Sequence, residues 1–348
     1  MGTKRYQVSW VGRGVRCRWQ CPVIHQETWK WGGIGYGNTR PIQNLGTSQK
    51  PLLCPSLPQT RGLPENRQKR PEWVEALTAS KRVIGVSATI SNQDWAQFQD
   101  QGFLHLGTVA SENQIQALRK RINEIMMGTA SLDYDRFFMQ LDVVEGQDSP
   151  GPQSKGHKGA TLNYRKIQDL EFDPLFLDYL QNPLFREVCA RAYGVKTKVA
   201  CFRAMFMNKP AGKGHHLQWH QDRWTDLDRD PLVTIWTALD PATRENGCVK
   251  IIPGSHKWGL INPASGSGFL NETQMEEIAE KSDHAYLVLG LGEVVLLHNW
   301  LLHSSDTNNT EIPRRAFSVC YMDAATKSER GHSFSTVFGS DALSPDLI

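Results

Sequence analysis

Apolar positions recur every three to four residues in two stretches of the middle of the chain. Ser91-Asn-Gln-Asp opens like a capping box, with Trp95 and Phe98 three apart behind it. Ser111-Glu-Asn-Gln opens the same way, and Ile115, Leu118, Ile122 and Ile125 line one face of the turns that follow. This spacing predicts two core-facing helices. Residues 174–193 (PLFLDYLQNPLFREVCARAY) predict two shorter helices broken at Pro183. After Gly194 the texture changes to short apolar runs at 199–207, 232–239, 248–252, 285–297 and 315–322, separated by turn residues. Strands at that interval point to an antiparallel barrel or a two-sheet jelly roll. The expected class is therefore α+β: a double-stranded β-helix (jelly roll) buttressed by N-terminal helices.

The first 80 residues show no sustained period of 2 or 3.6. Residues 1–72 hold 12 Lys/Arg but only Glu27, Glu65 and Glu72, so a formal net charge of +3 hides a basic tail on an acidic body. The tail also carries Trp10, Trp19, Trp29 and Trp31 and a Pro/Gln-rich run from Pro41 to Pro71. The expectation is a basic extension over 1–80 with little stable structure, followed by a folded domain over 81–348. Trp clusters and scattered prolines are poor material for the amphipathic helix of a transit peptide, so a cytoplasmic protein is expected, with organelle targeting by the basic N-terminus as the alternative. Cys17 and Cys21 are spaced like half a zinc site, but no second pair follows at a ligand's distance. Seven irregularly spaced cysteines read as reduced thiols of an intracellular protein. The charge is too small to imply nucleic acid, and no run approaches the roughly 18 uninterrupted apolar residues of a membrane span.

The segment richest in chemistry is Trp219-His220-Gln221-Asp222. On a strand, side chains two apart share a face, so His220 and Asp222 would present an imidazole and a carboxylate to one ion. Alone this is weak, because any His-x-Asp also reads as a hydrogen-bonded surface pair. A third element raises the odds: the apolar stretch from Gly292 reads as a buried strand emerging at His303. Two imidazoles and one carboxylate leave three positions open on an octahedral ferrous ion, which suits a bidentate co-substrate and dioxygen; zinc prefers a tetrahedron with more nitrogen or sulfur. Arg314 opens the next strand, and a guanidinium deep in a barrel needs a carboxylate partner. The far carboxylate of 2-oxoglutarate would supply it through a bidentate pair, with Ser305 on the same face as His303. Spacing leaves His298 open as a rival to His303, and Arg315 as a rival to Arg314.

Taken together, Met207-Asn-Lys-Pro, Trp219-His-Gln-Asp, Ile235-Trp-Thr-Ala-Leu, Asn246-Gly-Cys-Val-Lys-Ile-Ile-Pro-Gly-Ser-His, and His303-Ser-Ser ending in Arg314-Arg315-Ala resemble the successive motifs of the phytanoyl-CoA 2-hydroxylase family of iron(II)- and 2-oxoglutarate-dependent oxygenases, which includes ectoine hydroxylase. The resemblance covers roughly Asn92 to Met322 and nothing in the first 80 residues. It implies that His220, Asp222 and His303 hold iron, that Arg314 holds the distal carboxylate of 2-oxoglutarate with Ser305 assisting and Trp236 flanking, and that Lys166 also reaches the co-substrate. It further implies hydroxylation of a C–H bond with release of succinate and carbon dioxide, dioxygen as oxidant, and ascorbate as a stimulant. The carboxylate of Asp222 disfavours halogenation, since halogenating relatives have lost it.

Other candidates have plainer readings. His256 in a Pro-Gly-Ser-His turn is expected to cap backbone groups, Cys248 and Cys320 to be core thiols, and Asp226, Asp228 and Asp230 to lie in a solvated loop. The polar, cationic and aromatic run from 213 to 230 gives His216, Gln218, Arg223 and Trp224 as substrate candidates, for a small-molecule substrate. No nucleic-acid or membrane partner is expected, and the sequence carries no reading of oligomeric state. The competing functional reading is a non-catalytic metal- and metabolite-binding β-helix.

Overall fold

The computed structural model describes residues 89–143, 150–266, 268–281 and 283–347. The expected 1–80 extension, with Cys17, Cys21 and Cys54, lies outside them. The two predicted N-terminal helices form as α1 (Asn92–Gln101) and α2 (Glu112–Met127). Each starts with a complete capping box, Ser91 with Asp94 and Ser111 with Gln114, and each stops at a glycine in the left-handed region, Gly102 and Gly128. The third helical region divides into α3 (Pro174–Leu180) and α4 (Pro183–Tyr193). Pro183 does not break a helix so much as begin one. It sits in the first turn, where its missing N–H costs nothing, and the break falls at Gln181–Asn182. A fifth helix, α5 (Glu272–Lys281), was not expected; its short apolar face, Met275 and Ile278, packs with Ile252, Leu270 and Leu302.

Among the described residues, thirteen antiparallel strands form two sheets. In chain order they are β1 (Phe103–Thr108), β2 (Phe138–Leu141), β3 (Ser154–Lys155), β4 (Tyr164–Ile167), β5 (Val199–Lys209), β6 (Leu217–His220), β7 (Val233–Ala238), β8 (Val249–Ile251), β9 (Ala285–Tyr286), β10 (Glu293–His298), β11 (His303–Ser305), β12 (Arg314–Asp323) and β13 (Ser335–Phe338). The larger sheet runs β1-β10-β7-β12-β5-β4-β2-β3, with β13 also on β5; the smaller runs β6-β11-β8-β9. The expected two-sheet, helix-buttressed jelly roll is what forms.

Strand alternation sorts the side chains between two cores. Val233 and Ile235 of β7, Val294 and Leu296 of β10, and Phe317, Val319 and Tyr321 of β12 face the helices, in one core with Ile115, Ile122, Phe176 and Leu180. The alternate residues Trp236, Ala238, Val295, Leu297 and Ala316 face inward, in a second core with Val249 and Ile251 of the smaller sheet and Leu287 just after β9. Two tyrosine hydroxyls on the helical side are paired: Tyr321 donates to the Leu180 carbonyl (2.7 Å), and Tyr179 and Thr237 share a hydrogen bond of 2.9 Å.

Two strand expectations need correction. The run 285–297 is two strands in different sheets, β9 and β10, because Gly290 to Gly292 makes a turn between them. The apolar stretch from Gly292 likewise does not continue to His303: β10 ends at His298, a turn follows, and His303 opens β11 in the smaller sheet. The four described cysteines, Cys189, Cys201, Cys248 and Cys320, are buried free thiols, as the sequence suggests.

Candidate metal centre

His303 and His220 are direct cross-strand partners on β11 and β6, which places their rings 4.1 Å apart between centroids. Asp222 is not on the strand, contrary to the alternation expected of it. β6 ends at His220, and residues 221 and 222 turn away under separate control. The Asp222 N–H donates to the Asn299 carbonyl (2.7 Å), and the Asn299 side chain is itself held by Thr234 Oγ1 (2.7 Å) and by its own bond to the Pro231 carbonyl (2.9 Å). Gln221 is 1% exposed, and its side chain bonds the backbone of Gly259, Ile261 and Trp300. These two buried amides fix the short segment that carries the carboxylate, a role the sequence motif contained but did not reveal.

The three donors converge without satisfying one another. Nε2 of His220 stands 3.8 Å from Oδ1 of Asp222, and Nε2 of His303 stands 3.9 Å from Oδ2, both beyond hydrogen-bonding distance. One ligand atom from each residue lies within 4.8 Å of the others. The opposite ring nitrogens are spoken for: Nδ1 of His220 bonds the Gln218 carbonyl (2.8 Å) and Nδ1 of His303 the Leu301 carbonyl (2.9 Å). A carbonyl can only accept, so each Nδ1 carries the proton and each Nε2 turns a lone pair to the shared space. Burial, and next the neighbouring His303 ring, pushes His220 down to about 3, so it stays neutral and able to ligate. Phe269 stacks on the His220 ring at 4.7 Å. Side-chain exposure rises from 7% at His220 through 18% at His303 to 34% at Asp222, so the cluster opens on the carboxylate's side.

His298, the rival to His303, is elsewhere. Its ring packs on His256 at 4.8 Å and near Phe98 at 6.3 Å, and its Nδ1 accepts from the Trp300 N–H. His256 caps the end of α1 through the Gln99 carbonyl (3.0 Å), the structural role expected of it.

Arg314 is 3% exposed on the inner face of β12, and its Nε and Nη1 have no hydrogen-bond partner among the described residues. Its guanidinium carbon lies 5.6 Å from the Trp236 ring. Burial lowers its pKa to about 10. It shares one pocket with Ser305, Lys166 and Lys209. Lys209, within the Asn-Lys-Pro motif, escaped sequence reasoning; burial and then the Arg314 and Arg165 charges push it down to about 7, and its ammonium donates to the His215 carbonyl (2.6 Å). Burial likewise pushes Lys166 down to about 8. Arg165, Lys166, Lys209 and Arg314 outnumber Asp142 among the pocket's lining groups, so the pocket suits an anion.

The substrate candidates are scattered by comparison. His216 and Gln218 are exposed, with His216 3.9 Å from Asp306. Arg223 donates to the Pro263 carbonyl (2.8 Å), and Trp224 packs on Phe202 at 4.4 Å. Asp230 is not simply solvated: it accepts from the Trp224 N–H and from Trp300 Nε1, pinning the loop.

A family model described as phytanoyl-CoA dioxygenase (PhyH) matches residues 98–316, which is most of the described chain. The chain belongs to the phytanoyl-CoA dioxygenase family. Membership makes it an enzyme of the dioxygenase class. A phytanoyl-CoA dioxygenase of Arabidopsis thaliana is 26% identical over 261 residues, covering 69% of this chain and 92% of the relative. Among solved structures, the non-heme α-ketoglutarate-dependent carbocyclase SnoK from nogalamycin biosynthesis superposes with a TM-score of 0.52 at 18% identity, over 69% of this chain and 87% of its own. EctD from S. alaskensis, solved with 2-oxoglutarate and 5-hydroxyectoine, gives 0.50 at 22% identity, over 70% and 79%. These likenesses show that the family member here has their fold. Among its described residues no helix is long and apolar enough to cross a membrane.

Proposed function

We propose that this protein is an iron(II)- and 2-oxoglutarate-dependent dioxygenase that hydroxylates a C–H bond of a small molecule. His220, Asp222 and His303 would hold ferrous iron, Arg314 would pair with the distal carboxylate of 2-oxoglutarate, and Ser305 and Lys166 would assist. The observation that carries this reading is the pairing of two unsatisfied features on facing sheets: three donor atoms turned to one space, and a buried guanidinium without a carboxylate. A buried unpaired charge is costly, and a ligand acid removes the cost. Two neutral imidazoles and one carboxylate suit ferrous iron, with positions left for a bidentate co-substrate and dioxygen.

Iron, when bound, supplies the activation of dioxygen. The chain's own residues position and protect. Gln221 and Asn299 fix the carboxylate, the two backbone carbonyls fix the imidazole tautomers, and Trp236 with the inner core keeps water from the Arg314 pair. The reaction takes up dioxygen, 2-oxoglutarate and substrate C–H, and yields C–OH, succinate and carbon dioxide. His216, Gln218, Arg223 and Trp224 are proposed to border the substrate mouth. A plain metal-binding β-helix has no need of a buried Arg314, and turnover separates catalysis from mere binding of the metabolite. Succinate release from purified protein supplied with ferrous iron, ascorbate, oxygen and 2-oxoglutarate tests the reading: turnover, even uncoupled from a substrate, supports it, and none under any substrate panel speaks against it.

A further inference from the structure

One inner-face cation remains unused. Arg203 lies on β5 where the ladder to β12 slips: Cys320 pairs with Arg203 and Tyr321 with Cys201, so Phe202 is an extra residue without a partner. Before the slip, Val199 and Cys201 face the helical core; after it, Ala204 and Phe206 do. Strict alternation from Cys201 would send Arg203 to that apolar core. The bulge turns it inward instead, onto the face it shares with Met205, Met207 and Lys209. Bulges of this kind re-aim a side chain at the expense of ladder bonds.

The re-aimed guanidinium sits beside a packed pair of rings and is left without a counter-ion. Its Cζ stands 5.0 Å from the Phe202 ring and 5.1 Å from the Trp224 ring. Among the described residues no carboxylate lies within ion-pair distance of it and no hydrogen bond engages it. Burial lowers its pKa, and the foremost carboxylate acting the other way is Asp222. The cross-strand partner of Arg203, Cys320, accepts from Asn299 Nδ2 (3.2 Å), the residue whose carbonyl holds the Asp222 N–H, so Arg203 neighbours the support of the candidate metal centre. It stands near the middle of β5, whereas Lys209 ends the strand and has Arg314 as its cross-strand partner. The inner face of β5 thus carries two cations, Lys209 in the pocket with Arg314, and Arg203 outside that pocket.

We propose that Arg203 is the specificity residue for the primary substrate, binding a negatively charged group, carboxylate or phosphate, on a substrate whose apolar part lies along Met205, Phe202 and Trp224. This rests on the reading given under Proposed function for the location of the reaction, but not for the anion site itself. A guanidinium forms paired bonds to either acid, and the neighbouring rings favour a cation at this point.

The test compares wild type with Arg203→Gln and Arg203→Lys, each with and without ferrous iron and 2-oxoglutarate under anaerobic conditions. Hexanoate, 3-phenylpropionate and hexyl phosphate are titrated beside hexanamide, 3-phenylpropanamide and hexanol, with binding followed calorimetrically and by tryptophan fluorescence. At least one anion is expected to bind wild type about tenfold or more tightly than its neutral counterpart. Arg203→Gln should erase the preference, Arg203→Lys should retain part of it, and neither should alter the visible band that 2-oxoglutarate produces on the ferrous protein. The proposal is overturned if no anion outbinds its neutral counterpart, or if Arg203→Gln keeps the preference. Absence of the visible band in wild type would defeat the oxygenase reading instead, leaving the anion preference to be judged on the metal-free protein.

Discussion

Arg314 and Arg315 are neighbours on β12 and meet opposite fates. Arg315 turns to the helical side, where Nε and Nη2 grip Asp240 at 2.6 and 2.7 Å and Nη1 donates to Asn123 at 2.7 Å. Arg314 turns inward, beside Trp236, with Nε and Nη1 unpartnered. One arginine is part of the fold and the other waits for a ligand.

Substitution separates the two. Arg314→Ala should weaken 2-oxoglutarate binding about a hundredfold, with little change in stability, because only the ligand loses its partner. Arg315→Ala leaves the buried Asp240 with Arg119 at 3.0 Å and the backbone N–H of residue 315 at 3.2 Å, and should lower stability by about 3 kcal/mol. Isothermal titration with 2-oxoglutarate and urea denaturation check the pair of outcomes. The reverse assignment would show Arg315→Ala losing the co-substrate.

His220→Ala and Asp222→Ala should each abolish iron-dependent succinate release while leaving the fold intact. Metal analysis after ferrous loading and desalting should find less than the stoichiometric iron of wild type. Iron retained at full stoichiometry by both variants would place the metal elsewhere.

Gly268 accepts the Gln221 N–H at 3.1 Å with φ +71, and a side chain there would run into the Gln221 carbonyl. Gly268→Ala should displace the segment that carries Asp222 and reduce iron affinity about 10–100-fold, the range seen when a ligand loses its support. Unchanged metal affinity would show that Asp222 is held independently of this contact.

Glu171 is 6% exposed with Oε2 unpartnered, and burial raises its pKa from 4.5 to about 8. A raised carboxyl pKa means that the folded state keeps a proton that the unfolded state gives up. Its contribution is full below pH 4.5 and is lost as pH rises through about 8. Glu171→Gln removes that slope: equal to wild type near pH 4, it should be more stable by roughly 2–5 kcal/mol above pH 8. Denaturation at several pH values measures the difference, and parallel curves for the two proteins would refute it.

The helices were legible because capping boxes and a 3.6 period are local. Ser91 with Asp94 and Ser111 with Gln114 announce α1 and α2 whatever lies around them. The jelly-roll class was legible from the rhythm of apolar runs. Short strands such as β6 and β11 were not, since three or four residues show no period and their pairing joins residues some eighty apart. His220, Asp222 and His303 do converge, but through a local geometry other than the one expected: Asp222 is held by Asn299 and His303 opens a separate strand. Arg203 could not be seen at all, because its direction depends on a one-residue slip between β5 and β12 that alternation alone would place on the other face.

The most direct measurement is the anaerobic visible spectrum of the ferrous protein as 2-oxoglutarate is added. A charge-transfer band should grow to saturation in wild type, require higher co-substrate in Arg314→Ala, and be missing in Asp222→Ala. A wild-type spectrum that never changes, with iron demonstrably bound, would contradict the shared iron and co-substrate site on which the account stands.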